Sequence, residues 1–191
     1  MNIGSLKQLD RRYYFLAFSI LIFLYIIYRT YVLTINDGVI EFTVYQNKKT
    51  VKNIDQQRLV SSTNKFYVNT INFTENKTSL EHKELGNIGY NSNFFIDFKT
   101  KMILKESKQV VFYIYSDDGF NLLIDQKKIL SYKTHRAIDL DKVELDLLKG
   151  EHSFKIEYYQ GGGHLGIKGF YEIEGKKYII GKDSEFVVFD R

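Results

Sequence analysis

The hydrophobic pattern changes once along the chain, near residue 33. Residues 13–28, "YYFLAFSILIFLYIIY", run sixteen positions without a charge. Beyond residue 33 apolar and polar positions alternate. A continuous apolar run with charges only at its ends predicts a helix apolar on every face, which belongs in lipid rather than in a small core. A crossing takes about 20 residues, and extension through Arg29 to Leu33 gives 21. Tyr13, Tyr14, Tyr28 and Tyr31 lie where an aromatic belt meets the headgroups. Lys7, Arg11 and Arg12 precede the run and only Arg29 closely follows it. The positive-inside rule then predicts a short cytoplasmic tail over 1–12, a transmembrane signal-anchor helix over 13–33 in contact with membrane lipid, and an extracytoplasmic C-terminal domain, periplasmic in a Gram-negative envelope. "YIIYRTYVL" offers no small-x-small cleavage site, so the anchor is expected to stay uncleaved.

Residues 34–191 read as strands. "GVIEFTVYQN" sends Ile40, Phe42 and Val44 to one face and Val39, Glu41, Thr43 and Tyr45 to the other. "KFYVNTINF" and "SNFFIDFKTKMIL" read the same way. "HSFKIEYYQ" places Phe154, Ile156 and Tyr158 opposite Lys155, Glu157 and Tyr159, which puts Tyr159 at the surface. "QVVFYIYS" and "FNLLID" flank "DDG", a hairpin signal. "DQQRLVSS" and "SLEHKELG" read as short helical turns. The expected fold class is all-β: an antiparallel β-sandwich with one N-terminal transmembrane α-helix.

Composition narrows the function. With 15 Tyr and 15 Phe the core is easily filled. Without cysteine there is neither a disulfide framework nor a thiolate metal site. The net charge of +4 hints at nucleic acid, but its placement argues against that partner. Of 27 basic and 23 acidic residues, four and one fall within residues 1–30, leaving 23 and 22 for the rest. No basic stripe remains to follow phosphates. Neither an activated nucleophile nor an acid pair with a cause for a raised pKa is legible, so no enzyme is expected.

Two motifs carry the remaining chemistry. "FYIYSDDGFNLLIDQKKIL" has a strand, Ser-Asp-Asp-Gly, then a strand ending Ile-Asp-Gln-Lys. "LDLLKGEHSFKIEYYQGGG" follows with a Leu-x-x-Gly-x-His turn into a strand of the Ile-x-Ile-x-Tyr type. Together they resemble the β-sandwich family named after a region of anthrax protective antigen, found also in fungal flocculins, some glycosidases and other surface proteins. The resemblance covers residues 94–171, with Gln126 where that family has Gly. It implies a domain that binds glycans or protein partners. In the family's calcium-dependent lectins the residues matching Asp117 and Asp118 hold Ca2+ across a cis peptide, helped by an Asn from a nearby loop.

Read from the residues, the pair has two roles open to it. Asp117 and Asp118 can shape a turn ending at Gly119 by accepting backbone N–H groups. Alternatively they supply oxygen ligands to Ca2+. The loop "YYQGGGHLG" lacks the Asn or Asp that would complete a shell, which favours the turn. Gly162, Gly163 and His164 join the pair as candidate ligand-binding residues, the glycines allowing a bent loop. His152 lies at the family's turn position and is expected to be structural. The first functional expectation is an accessory or scaffold subunit making protein contacts in a cell-envelope complex. The second is a glycan-binding module for cell-wall or surface polysaccharide.

Overall fold

The computed structural model describes residues 11–35, 38–73 and 77–191, and the side chains of 13–29, 38–73 and 77–191. The chain divides into two compact units, Met1–Asn36 and Asp37–Arg191.

The first unit holds one helix, α1 (Arg11–Ile35). Its described side chains are exposed, with Phe15, Leu21 and Phe23 among them. Among the described residues no helix is long and apolar enough to cross a membrane. The described side chains of α1 end at 29, short of the about 20 residues a crossing takes. The expected anchor over 13–33 extends past them, and the expected tail over 1–12 lies outside them.

The second unit is built from β1 (Ile40–Asn47), β2 (Val60–Val68), β3 (Glu81–His82), β4 (Gly86–Asn87), β5 (Phe94–Leu104), β6 (Lys108–Asp117), β7 (Phe120–Ile124), β8 (Lys127–Tyr132), β9 (Asp139–Leu147), β10 (Gly150–Gln160), β11 (Gly166–Ile173), β12 (Lys176–Ile179) and β13 (Val187–Asp190). A seven-stranded sheet runs β2-β1-β5-β10-β7-β8, with β13 beside the far end of β5. A four-stranded sheet runs β12-β11-β6-β9, and β3 and β4 form a small ladder. Every pairing is antiparallel.

Alternation explains the layers. Ile40, Phe42, Val44, Ile96, Phe98, Leu122, Phe154 and Ile156 face inward from the large sheet, and Phe112, Ile114, Ile167 and Tyr171 from the small one. The Phe112 and Phe154 rings meet across the layers at 5.8 Å between centroids.

Three local expectations differ from the structure. The "DDG" segment is not a hairpin, because β6 pairs with β9 and β11 whereas β7 pairs with β10 and β8. It carries the chain from one sheet to the other. "SLEHKELG" forms the β3–β4 ladder rather than a helical turn, since His82 is buried against the Phe73 ring and bonded to Thr70 O at 3.0 Å. "DQQRLVSS" ends in β2, and Arg58 is drawn across the Tyr45 and Phe95 rings to Asp97 at 2.7 Å. Residues 48–59 thereby fold over the outer face of the large sheet. Beneath them Val51, Ile54, Phe95 and Tyr159 form a second, smaller core, so Tyr159 is buried rather than at the surface.

Candidate functional site

The crossing from β6 to β7 sits at one rim of the sandwich. Its tightness has a visible cause at Gly119, where an added Cβ would lie 2.6 Å from Tyr159 Cε1 and 2.7 Å from Tyr132 O. The Asp117–Asp118 peptide is cis. Ser116, fully buried, donates its hydroxyl to Asp118 O at 2.7 Å. The buried Tyr158 hydroxyl lies against Asp117 O and 2.6 Å from Gln160 Oε1. Burial, then the charges of Asp118 and Asp117, hold that phenol well above its ordinary pKa, so it stays a proton donor. Gln160 Nε2 in turn donates to Gly162 O (3.1 Å) and His164 O (2.8 Å). One polar chain therefore links the acidic turn to the glycine loop, and all five candidate residues belong to a single site.

The two aspartates are treated differently by their surroundings. Asp118 is 3% exposed and both oxygens of its carboxylate face N–H groups. Oδ2 accepts the Gly161 N–H at 2.9 Å and lies 3.0 Å from His135 Nδ1, while Oδ1 accepts the Arg136 N–H at 3.3 Å. Arg136 is itself nearly enclosed. Its guanidinium donates to Ser116 O (3.1 Å), Ser116 Oγ (2.7 Å) and Asp141, and it stacks 4.0 Å from the Tyr132 ring centroid. Asp117 is 8% exposed, yet among the described residues its carboxylate takes no hydrogen bond. Burial, then the neighbouring Asp118 charge, push its pKa up to about 6, against the smaller pull of His164, Arg136 and His135. Gly162, Gly163 and His164 lie exposed beside it. The site therefore offers one buried acid without a donor at the edge of an open loop.

The protective-antigen-type lectins imply Ca2+ here, and the donor set can be tested against that ion. Ca2+ takes 6–8 oxygens. Both oxygens of Asp118 already accept N–H groups of the protein. Asn93, whose backbone N–H donates to Gly161 O, spends its Oδ1 on the Val51 N–H. Among the described residues no cluster of three or more acids or histidines is placed to hold a metal. The His135 ring and the Arg136 backbone N–H face Asp118. As arranged, these groups do not fit a calcium shell.

His152 sits apart, with Nδ1 2.7 Å from Asp125 Oδ2 and Nε2 2.8 Å from Leu148 O. Burial opposes its charge, but these partners outweigh that and raise its pKa. It ties the β7–β8 turn to the β9–β10 turn. Ser116, Tyr158 and Gln160 lie within the two motifs, but the sequence does not assign them to the site, nor His135 and Arg136. His135 and Arg136 lie in "THRAID", which carries no motif, and only the fold brings them to Asp118.

No family model and no curated protein matches this sequence. The β-sandwich fold is shared with several solved structures. A PA14 sugar-binding domain from an RTX adhesin superposes with a TM-score of 0.59 at 14% identity, over 74% of this chain and 93% of that one. The Epithelial Adhesin 9 A domain from Candida glabrata, in complex with Galb1-4GlcNAc, superposes at 0.56 and 10% identity, over 79% and 89%. An anti-sigma factor domain-containing protein from Clostridium clariflavum superposes at 0.57 and 22% identity, over 78% of this chain but only 46% of its own length.

Proposed function

We propose that the sandwich is a membrane-anchored glycan-binding module of the protective-antigen type, displayed outside the cytoplasm, that takes a sugar at the rim beside Asp117. The observation that carries this reading is the Asp117 carboxylate, nearly buried, without a donor and next to the exposed loop 162–164. Its carboxylate oxygens are not buried unpartnered atoms, so they are open to a donor that arrives from solvent. A saccharide hydroxyl is a donor of suitable size, and the exposed loop leaves room for it. A sugar-binding domain and a disaccharide-bound adhesin domain among the structures sharing this fold support the same reading. They move the glycan reading ahead of the scaffold reading, which nothing in the site's chemistry favours. We assign the site no catalytic role, because one of its acids is committed to the protein. The anchored, extracytoplasmic placement is supported by the apolar run and its flanking charges.

The test is binding of the full chain to a panel of cell-wall and surface saccharides, with Galb1-4GlcNAc included. Asp117→Asn should weaken a bound saccharide by about ten- to hundredfold, the equivalent of one charge-assisted hydrogen bond. Failure of the whole panel, together with crosslinking to membrane proteins, would return the module to a scaffold role in an envelope complex.

A further inference from the structure

We infer that His135 and Arg136 are built-in donors to the acidic turn, and that the rim site binds its ligand without a divalent ion. The inference rests on the glycan-binding reading for its ligand, but its geometry stands apart from that reading. Two carboxylates on adjacent residues repel, and a site of this kind needs positive charge beside it. Here the Arg136 guanidinium supplies that charge at longer range, and N–H groups engage Asp118 directly. His135 Nδ1 lies 3.0 Å from Asp118 Oδ2, with half of its side chain exposed. Arg136, only 9% exposed, sends its N–H to Asp118 Oδ1 and its guanidinium to Ser116 and Asp141. An ion approaching Asp118 would have to displace the Gly161 and Arg136 N–H groups and enter beside a guanidinium.

The packing shows that these contacts are made by construction. A Cβ on Gly161 would fall 2.2 Å from His135 Cε1 and 2.7 Å from Val51 O. Gly161 therefore admits both the loop 48–59 and the imidazole, and at the same time presents its N–H to Asp118. The Ile54 N–H donates to Lys133 O at 3.0 Å, fastening the segment that carries His135 and Arg136. Their role is positioning: they hold Asp118 and leave Asp117 free for the ligand.

Melting of the full chain in chelator and in Ca2+ up to about 10 mM, roughly tenfold above the weakest range of extracellular calcium modules, decides the metal question. No shift is expected. A saturable rise of about 3–6 °C, lost in Asp117→Asn, would overturn the inference. The donor role is read from a double-mutant cycle of Asp118→Asn with His135→Phe, which removes the His135 contact to Asp118. The combined fall in Tm should be several degrees smaller than the sum of the two single falls, and additivity would overturn it. Should His135→Phe fail to fold, His135→Ala carries the same cycle. Binding separates the two readings. A saccharide held in chelator and lost in Asp117→Asn supports both. One lost in chelator and restored by Ca2+ overturns this inference and keeps the glycan module. If no saccharide binds, the glycan reading fails while melting still decides the metal question.

Discussion

Asp117 and Asp118 are neighbours with opposite fates, and the difference is set by which carboxylate the folded chain supplies with donors. Asp118 spends its acceptors on Gly161, Arg136 and His135. Asp117 keeps its own, and its pKa rises from 3.8 to about 6 for want of solvent and because Asp118 is beside it. The folded chain therefore binds a proton between those two values that the unfolded chain does not. Asp117's contribution to stability is fully present below about pH 4, is lost as pH rises through about 6, and is flat above that. Asp117→Asn removes the ionisable group. Above pH ~7 the variant should melt higher than the wild type, with the gap closing toward pH 4. A Tm-against-pH series on both proteins checks this. The same substitution is expected to lose ligand, so a gain in stability should accompany a loss of function.

At the scale of elements, the β7–β8 hairpin joins Ile124 to Lys127 through two residues. Asp125 and Gln126 both adopt positive φ, 49° and 65°. Such turns favour Asn or Asp followed by Gly. Gln126 occupies the glycine position with a side chain that resists the left-handed region. Gln126→Gly should therefore stabilise the domain by about 0.5–1 kcal/mol, visible as a higher denaturant midpoint with unchanged slope. The β10 strand predicts the opposite sign. Phe154 is 1% exposed and meets Phe112 across the layers. Phe154→Ala leaves a cavity between the sheets and should cost about 3–5 kcal/mol by the same measurement.

At the scale of the whole molecule, the proposed anchored, extracytoplasmic placement is tested by a fusion. The apolar helix carries no acid along its described side chains, and its cationic flank lies N-terminal. An alkaline phosphatase reporter fused after Arg191 should be active, as expected for an extracytoplasmic C-terminus. Ile22→Arg, near the middle of the run, should cost about 2.5–3.5 kcal/mol of insertion and reduce the active fraction. A stable but inactive fusion of the unmodified chain would place the domain in the cytoplasm.

The sequence by itself determined the properties that depend on local periodicity. The inward faces of β1 and β10 and the two-layer β class were legible because a side chain's face follows its parity in the strand. The acidic turn and the glycine loop were also legible, since both lie within motifs of a few consecutive residues. Tertiary structure alone decided what depends on which strands become neighbours. "DDG" read as a hairpin because strand–turn–strand looks the same whether the second strand returns beside the first or crosses to the other sheet. Tyr159 read as a surface residue because parity shows only that it leaves the main core, not that residues 48–59 cover it. His135 and Arg136 carried no signal, because Asp118 lies 17 and 18 positions before them in the chain. The fold closes that separation, and with it decides which of two adjacent aspartates remains open.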